Sequence, residues 1–197
     1  MIDIQSLLMG KSLGSGGGGG GGSNIFEWDF TSATPLVDKV RGETAISSDV
    51  TFNSSGAVFS SNQKGYIVLS ALARAFTIEV DIAELNLTSG TAGRLLQVGI
   101  SNGKGFNYRG SGVWAVYSGY TNYETDITDP LYFSGHTLKI HVDESFKWHI
   151  YRDDDLIFEP NAEMTMERYS GNSNITVYLG SGATSIYNAV ISGVRVY

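Results

Sequence analysis

"AFTIEVDIAEL", Ala75 to Leu85, alternates large apolar side chains with polar or acidic ones. Phe76, Ile78, Val80 and Ile82 fall on one parity, and Thr77, Glu79 and Asp81 on the other. Successive strand side chains point to opposite faces, so this period of two predicts a strand with its apolar face in a core. Glu79, Asp81 and Glu84 form an E-x-D-x-x-E spacing. In an unbroken strand Glu79 and Asp81 project together, and Glu84, an odd number of residues away, projects oppositely. A β-bulge is needed to bring it round.

The same alternation recurs on both sides of this stretch. "VTFNSSGAVFS" (50–60) reads as strand, turn, strand, followed by "GYIVLS" (65–70). Further on come "RLLQVGIS", "SGVWAVYSG", "HTLKIHVDE", "FKWHIYRDDDLIFEP", "NITVYLGSG" and "YNAVISGVRVY". Clusters of Gly, Ser, Asn and Asp separate them, and "YRDDDLI" reads as a tight hairpin reversal. "NAEMTMERYSG" (161–171) is the best candidate for a short helical turn. Many short strands at regular spacing predict an all-β, two-sheet antiparallel sandwich.

The N-terminal arm differs in composition. "GSGGGGGGGSN" (14–24) contains an uninterrupted glycine run whose backbone entropy opposes helix and strand alike. It reads as a flexible tether with a reach of roughly 15–20 Å. Residues 1–13, "MIDIQSLLMGKSL", too short to hold a helix alone, then read either as a frayed terminus or as an attachment peptide that orders on a partner. Residues 25–197 form the domain. The chain has 197 residues, no cysteine and a formal charge of −7. Disulfides and thiol chemistry are thereby excluded, and the negative field disfavours nucleic acid. No apolar run is long enough to span a bilayer, and the first residues do not resemble a signal peptide.

Four segments, in order, resemble the laminin-G-like, concanavalin-A-like jelly-roll family. "WDFTSATPLVDKVRG" (28–42) resembles its opening strand and loop, with Trp28, Phe30, Leu36, Val37 and Asp38 in place. "AVFSSNQKGYIVL" resembles the closure of the first strand pair, and "FKWHIYRDDDLIF" a hairpin that usually carries Asp-Gly at its turn. Asp154–Asp155 stand there instead, which argues against a type I′ turn. "YNAVISGVRVY" resembles the closing strand, which returns beside the opening one. The resemblance implies a jelly roll with a concave face of the kind that holds carbohydrate in relatives. Peptide, tether and head together resemble minor structural or tail-associated proteins of bacteriophages. That implies a virion or extracellular location. The implied partners are a glycan or cell-surface polysaccharide, a larger assembly reached through residues 1–13, and further copies of the chain.

Retaining glucanases of the laminarinase and lichenase type carry their catalytic carboxylates at the E-x-D-x-x-E spacing, which makes Glu79, Asp81 and Glu84 catalytic candidates. The expectation is nevertheless a non-catalytic carbohydrate-recognition module, with a β-glucan hydrolase and a purely structural virion decoration or fibre protein as the alternatives. The upstream strand of those glucanases is missing, and their domains usually need more chain to build a cleft. Glu79 and Asp81 then read as solvated outward residues.

The binding candidates lie in "GFNYRGSGVWAVYSGYTNYE" (105–124). Tyr108, Arg109, Trp114, Tyr117, Tyr120, Asn122 and Tyr123 combine aromatic faces for sugar stacking with groups that hydrogen-bond hydroxyls. In "VWAVY", Trp114 and Val116 form one face and Ala115 and Tyr117 the other, and one of the two must be core. Asp153 and Asp155 are candidates for calcium, although a solvated acidic turn explains them equally well. His136, His141 and His149 lack metal-ligand spacing and read as ordinary strand residues.

Overall fold

The computed structural model describes residues 26–60, 65–72, 76–87, 93–98, 104–118, 121–143, 145, 147–160, 174–180 and 188–197. The expected attachment peptide and tether, Tyr120 and the expected helical turn at 161–171 lie outside the described residues. The strands in chain order are β1 (Phe26–Asp29), β2 (Ile46–Ser48), β3 (Val50–Asn53), β4 (Gly56–Phe59), β5 (Tyr66–Leu72) and β6 (Phe76–Asn86). They continue with β7 (Gly93–Val98), β8 (Lys104–Tyr108), β9 (Trp114–Ser118), β10 (Thr121–Glu124) and β11 (His136–Val142). The last four are β12 (Trp148–Arg152), β13 (Asp155–Phe158), β14 (Asn174–Gly180) and β15 (Asn188–Val196). No helix occurs among the described residues.

Two antiparallel sheets form a sandwich, as the alternation predicted. One is eight-stranded, in the order β13-β12-β11-β6-β15-β4-β3, with β1 also on β15. The other is seven-stranded, in the order β10-β9-β8-β7-β14-β5-β2. β15 takes β6 along one edge and shares its other edge between β4 and β1. Phe26 faces Val196 and Asp29 faces Gly193, so the closing strand returns beside the opening one.

The inner faces supply the core. Ile78, Val80 and Ile82 of β6 are buried against Ile67 and Leu69 of β5, Val177 and Leu179 of β14, and their neighbours. Apolar burial at about 25 cal/mol per Å2 is the main term stabilising such a sandwich. At one end the aromatic rings interlock. Phe106 stacks on Trp114 with centroids 5.1 Å apart, and Phe133 meets Trp114 edge-on at 5.0 Å. Tyr108 closes this cluster and donates its hydroxyl to the Thr128 carbonyl at 3.0 Å.

The β12–β13 hairpin is tight, because Arg152 pairs directly with Asp155. Asp153 has φ 54°, and Asp154 is not among the positive-φ residues. A type I′ turn needs positive φ at both central positions, so the missing glycine corresponds to a different turn.

Asp38 fastens the opening strand to the loop that follows it. The residue is 1% exposed, and its carboxylate accepts the backbone N–H groups of Glu27 and Arg41. Asp38→Ala leaves both donors without an acceptor. It is expected to lower stability in urea unfolding by about 1–3 kcal/mol, with Asp38→Asn intermediate.

Candidate functional site

The E-x-D-x-x-E segment lies on β6, and its acidic side chains share the outer face of the eight-stranded sheet. Ile82 and Leu85 are both buried although three residues apart. The register explains this: Glu84 faces Val190 and Ile82 faces Ile191, leaving Ala83 as an extra residue. This bulge turns Glu84 outward, beside Glu79 and Asp81. It is held by the loop before β11, where Gly135 N–H donates to the Ile82 carbonyl at 2.9 Å and Ser134 Oγ accepts from Leu85 N–H at 3.0 Å. A second extra residue, Ser192, sits opposite on β15.

Arg195 clamps the first two carboxylates. Its Nη1 and Nη2 donate to the two oxygens of Asp81 at 2.7 and 2.8 Å, and Nε donates to Glu79 at 3.0 Å. Tyr197 Oη donates to the same Glu79 oxygen at 2.8 Å, and Lys139 Nζ lies 3.6 Å from the other. Burial works to lower the Arg195 guanidinium, but its bonds to Asp81 and Glu79 outweigh this and hold it above its ordinary value. Burial and Glu79 both raise the Tyr197 phenol. Glu84 accepts only from the Asn86 amide among the hydrogen bonds described, at 2.6 Å.

Beside the bulge is an open depression of about 200 Å3, lined by Asp81, Ala83, His136, Thr137, Asp153 and Ser192 among others. Thr137 Oγ1 donates into it, to Asp81, at 2.7 Å. His136 sits between Arg152, against its Nε2, and Asp153, whose Oδ2 lies 2.8 Å from its Nδ1. The other Asp153 oxygen accepts from Thr137 N–H at 3.0 Å. Both oxygens of this calcium candidate therefore serve groups of the protein itself, while Asp155 is exposed at the start of β13. Among the described residues no three acidic, imidazole or thiol groups gather as metal ligands.

The binding candidates divide between core and surface. Trp114 and Tyr108 are 0% and 1% exposed, so neither offers a ring to a ligand. Tyr123 packs against the core. Arg109 is paired with Glu124 on the strand edge. These placements correct the expectation for Tyr108 and Trp114 as stacking rings, since the aromatic core cluster takes both. Tyr117 and Asn122 do lie on the outer face of the seven-stranded sheet, directly opposite each other.

That outer face carries a cross-strand row. Asn122, Tyr117, Gly105, Gln97 and Tyr178 face one another in sequence across β10, β9, β8, β7 and β14. Beside it runs a second row of Glu124, Ala115, Asn107 and Arg94. Gly105 is indispensable: a Cβ there would meet the Leu96 carbonyl at 2.2 Å and the Tyr117 hydroxyl at 2.5 Å. The Tyr117 ring thus lies over the bare backbone of β8. The Arg94 guanidinium covers it at 4.6 Å from the centroid, leaving Tyr117 only 4% exposed. Burial pushes its phenol above the usual range, and Arg94 opposes this. Arg94 Nη1 donates to Gln97 Oε1 at 2.6 Å. Tyr117 Oη and Asn107 Oδ1 are buried with no hydrogen-bond partner.

The sequence reading missed Arg94, Gln97 and Asn107. The signal lay in "RLLQV", where Leu95 and Leu96 are both buried and the register slips between Arg94 and Leu96.

No protein-family model and no curated protein matches the chain. Solved structures do. A Trypanosoma rangeli sialidase bound to a difluorinated nonulosonic acid is similar over 88% of this chain, with TM-score 0.68 and 16% identity. The chain spans only 30% of that sialidase. The Crh5 transglycosylase is similar over 86% of this chain and 82% of its own, with TM-score 0.60 and 14% identity. A botulinum neurotoxin type C structure, whose cell entry is described as dependent on two ganglioside molecules, matches 88% of this chain and 47% of its own. Its TM-score is 0.62 at 15% identity.

These likenesses establish the architecture. They also correct the expectation of a non-catalytic module. The sialidase and the transglycosylase are enzymes, and Crh5 has a chain of comparable length, so a short domain is no argument against catalysis. The bulge at Ala83 removes the geometric objection to Glu84 as well.

On the outer face of the eight-stranded sheet, His141 faces His149 with ring centroids 5.8 Å apart, and its Nδ1 lies 2.9 Å from Thr77 Oγ1. Burial lowers the His141 imidazole below its ordinary 6.5, and the neighbouring His149 adds to this. Asp143 acts in the opposite sense. A lowered folded value means that His141 contributes stability above about pH 6.5, which is lost as pH falls through that lowered value. The urea midpoint is expected to drop between about pH 7 and 5, and less steeply in His141→Gln.

Proposed function

We propose that this domain recognises a glycan on the outer face of its seven-stranded sheet. The observation that carries the reading is the pair of buried polar atoms, Tyr117 Oη and Asn107 Oδ1, left unbonded beside Arg94, Gln97 and the exposed Asn122. An unsatisfied buried polar group costs about 1–3 kcal/mol, so a hydroxyl-rich partner that displaced their cover would recover part of that cost on this polar face. A saccharide offers donors and acceptors at this density. The sialidase, transglycosylase and neurotoxin likenesses support the same ligand class. The attachment reading of residues 1–13 joins the proposal, because display of several heads on a virion or other extracellular assembly raises weak single-site affinity.

The intact chain is expected to give a glycan-array signal that Asn122→Ala weakens severalfold while the fold persists by circular dichroism. Loss of residues 1–13 is expected to weaken binding to dense glycan surfaces but not to soluble sugar. An array without signal overturns the reading.

A second reading is favoured by the bulge alone: Glu79, Asp81 and Glu84 acting on a β-glucan from the opposite outer face. Retaining chemistry needs two carboxyls roughly 5–5.5 Å apart, one as nucleophile and one as acid/base. Glu84, with the fewest protein partners described, is the candidate acid/base. Arg195 and Tyr197 would orient Glu79. Release of reducing ends or transfer products from β-glucans, abolished by Glu84→Gln, is the expected result. A parent protein inactive on every β-glucan removes this reading.

A further inference from the structure

We infer that the glycan bound at the seven-stranded sheet carries a carboxylate, as a nonulosonic or uronic acid does, and that Arg94 receives it. The inference rests on the glycan reading above and adds the ligand's charge.

The argument begins with how the two arginines of this face are treated. Arg109 is neutralised by Glu124. Arg94 has no carboxylate partner among the described residues, although the chain carries a net charge of −7. Its two contacts hold it without discharging it. The neutral Gln97 carbonyl oxygen fixes Nη1 at 2.6 Å, and the Tyr117 ring fixes the plane. Tyr117 is in turn fixed by the missing side chain at Gly105. The guanidinium is therefore set in orientation before any ligand arrives, and its Nε–Nη2 edge has no partner among the described residues.

A planar, oriented fork with intact charge matches the two oxygens of a carboxylate. A neutral hydroxyl uses one donor and leaves the charge uncompensated. Asn107 lies directly across from Arg94, and its buried, unbonded Oδ1 becomes an acceptor for a hydroxyl of the same sugar only where the ligand displaces its cover. Cation and acceptor side by side suit a ring bearing both an acid and an alcohol. Arg195 shows the contrasting arrangement, its charge already met by Asp81 and Glu79.

The test compares ligands on the intact chain: 3′-sialyllactose against lactose, and polygalacturonate against its carboxyl-reduced form. The acidic member of at least one pair is expected to bind about tenfold or more tightly, with the gap narrowing at high salt. Arg94→Gln is expected to erase the gap, and Arg94→Lys to keep part of it. The ligand-side comparison stands even where a variant fails to fold. Equal binding of acidic and neutral members overturns the carboxylate while leaving glycan recognition in place. No binding of any sugar overturns both.

Discussion

The pairing of β15 with β6 is the constraint on which the rest of the molecule depends. β15 ends the chain yet lies in the interior of its sheet, bonded to β6 on one side and to β4 and β1 on the other. Nearly every strand of the eight-stranded layer is placed relative to it. The two extra residues, Ala83 and Ser192, fall on opposite strands of this one pair. One slip offsets the other, so Val80 and Val194 still face each other and both point inward. The bidentate bond from Arg195 to Asp81 lies just past the slips, where it fixes register by charge as well as by ladder hydrogen bonds.

The two outer faces treat similar side chains in opposite ways. On the eight-stranded sheet, acid and base are matched within the protein: Arg195 with Asp81 and Glu79, Lys139 with Glu79 and Asp154. On the seven-stranded sheet, an arginine is fixed by an amide and an aromatic ring, and buried polar atoms stay unbonded. The first arrangement supports the fold. The second leaves interaction capacity unused at a cost to the protein, which is the condition expected where another molecule completes the bonding.

Much of the fold was legible because alternation is a local signal. Ile78, Val80 and Ile82 announced their own burial, and the apolar closing segment announced a strand beside the first. What alternation cannot show is where it slips. Ala83 looked like one more alternating residue, and only its pairing with β15 reveals that it is the extra one. The slip after Arg94 likewise hid which residues of "RLLQV" face outward. The aromatic run misled for a related reason. Trp114 and Tyr117 alternate correctly, but an aromatic ring can be buried from either face. Trp114 enters the core, while Tyr117 is covered on the outside by an arginine from another strand. Contacts between strands decided both, and no short window contains them.

The antiparallel contact of β1 with β15 also sets how the domain responds to force. Phe26 and Val196 face each other, so tension applied at these two strand ends peels the strands apart one bonded pair at a time. Such a zipper yields at low load, whereas strands dragged lengthwise past one another must break all their bonds together. A pull shared between these two strand ends therefore opens this seam, which exposes the buried rings of Phe26 and Trp28.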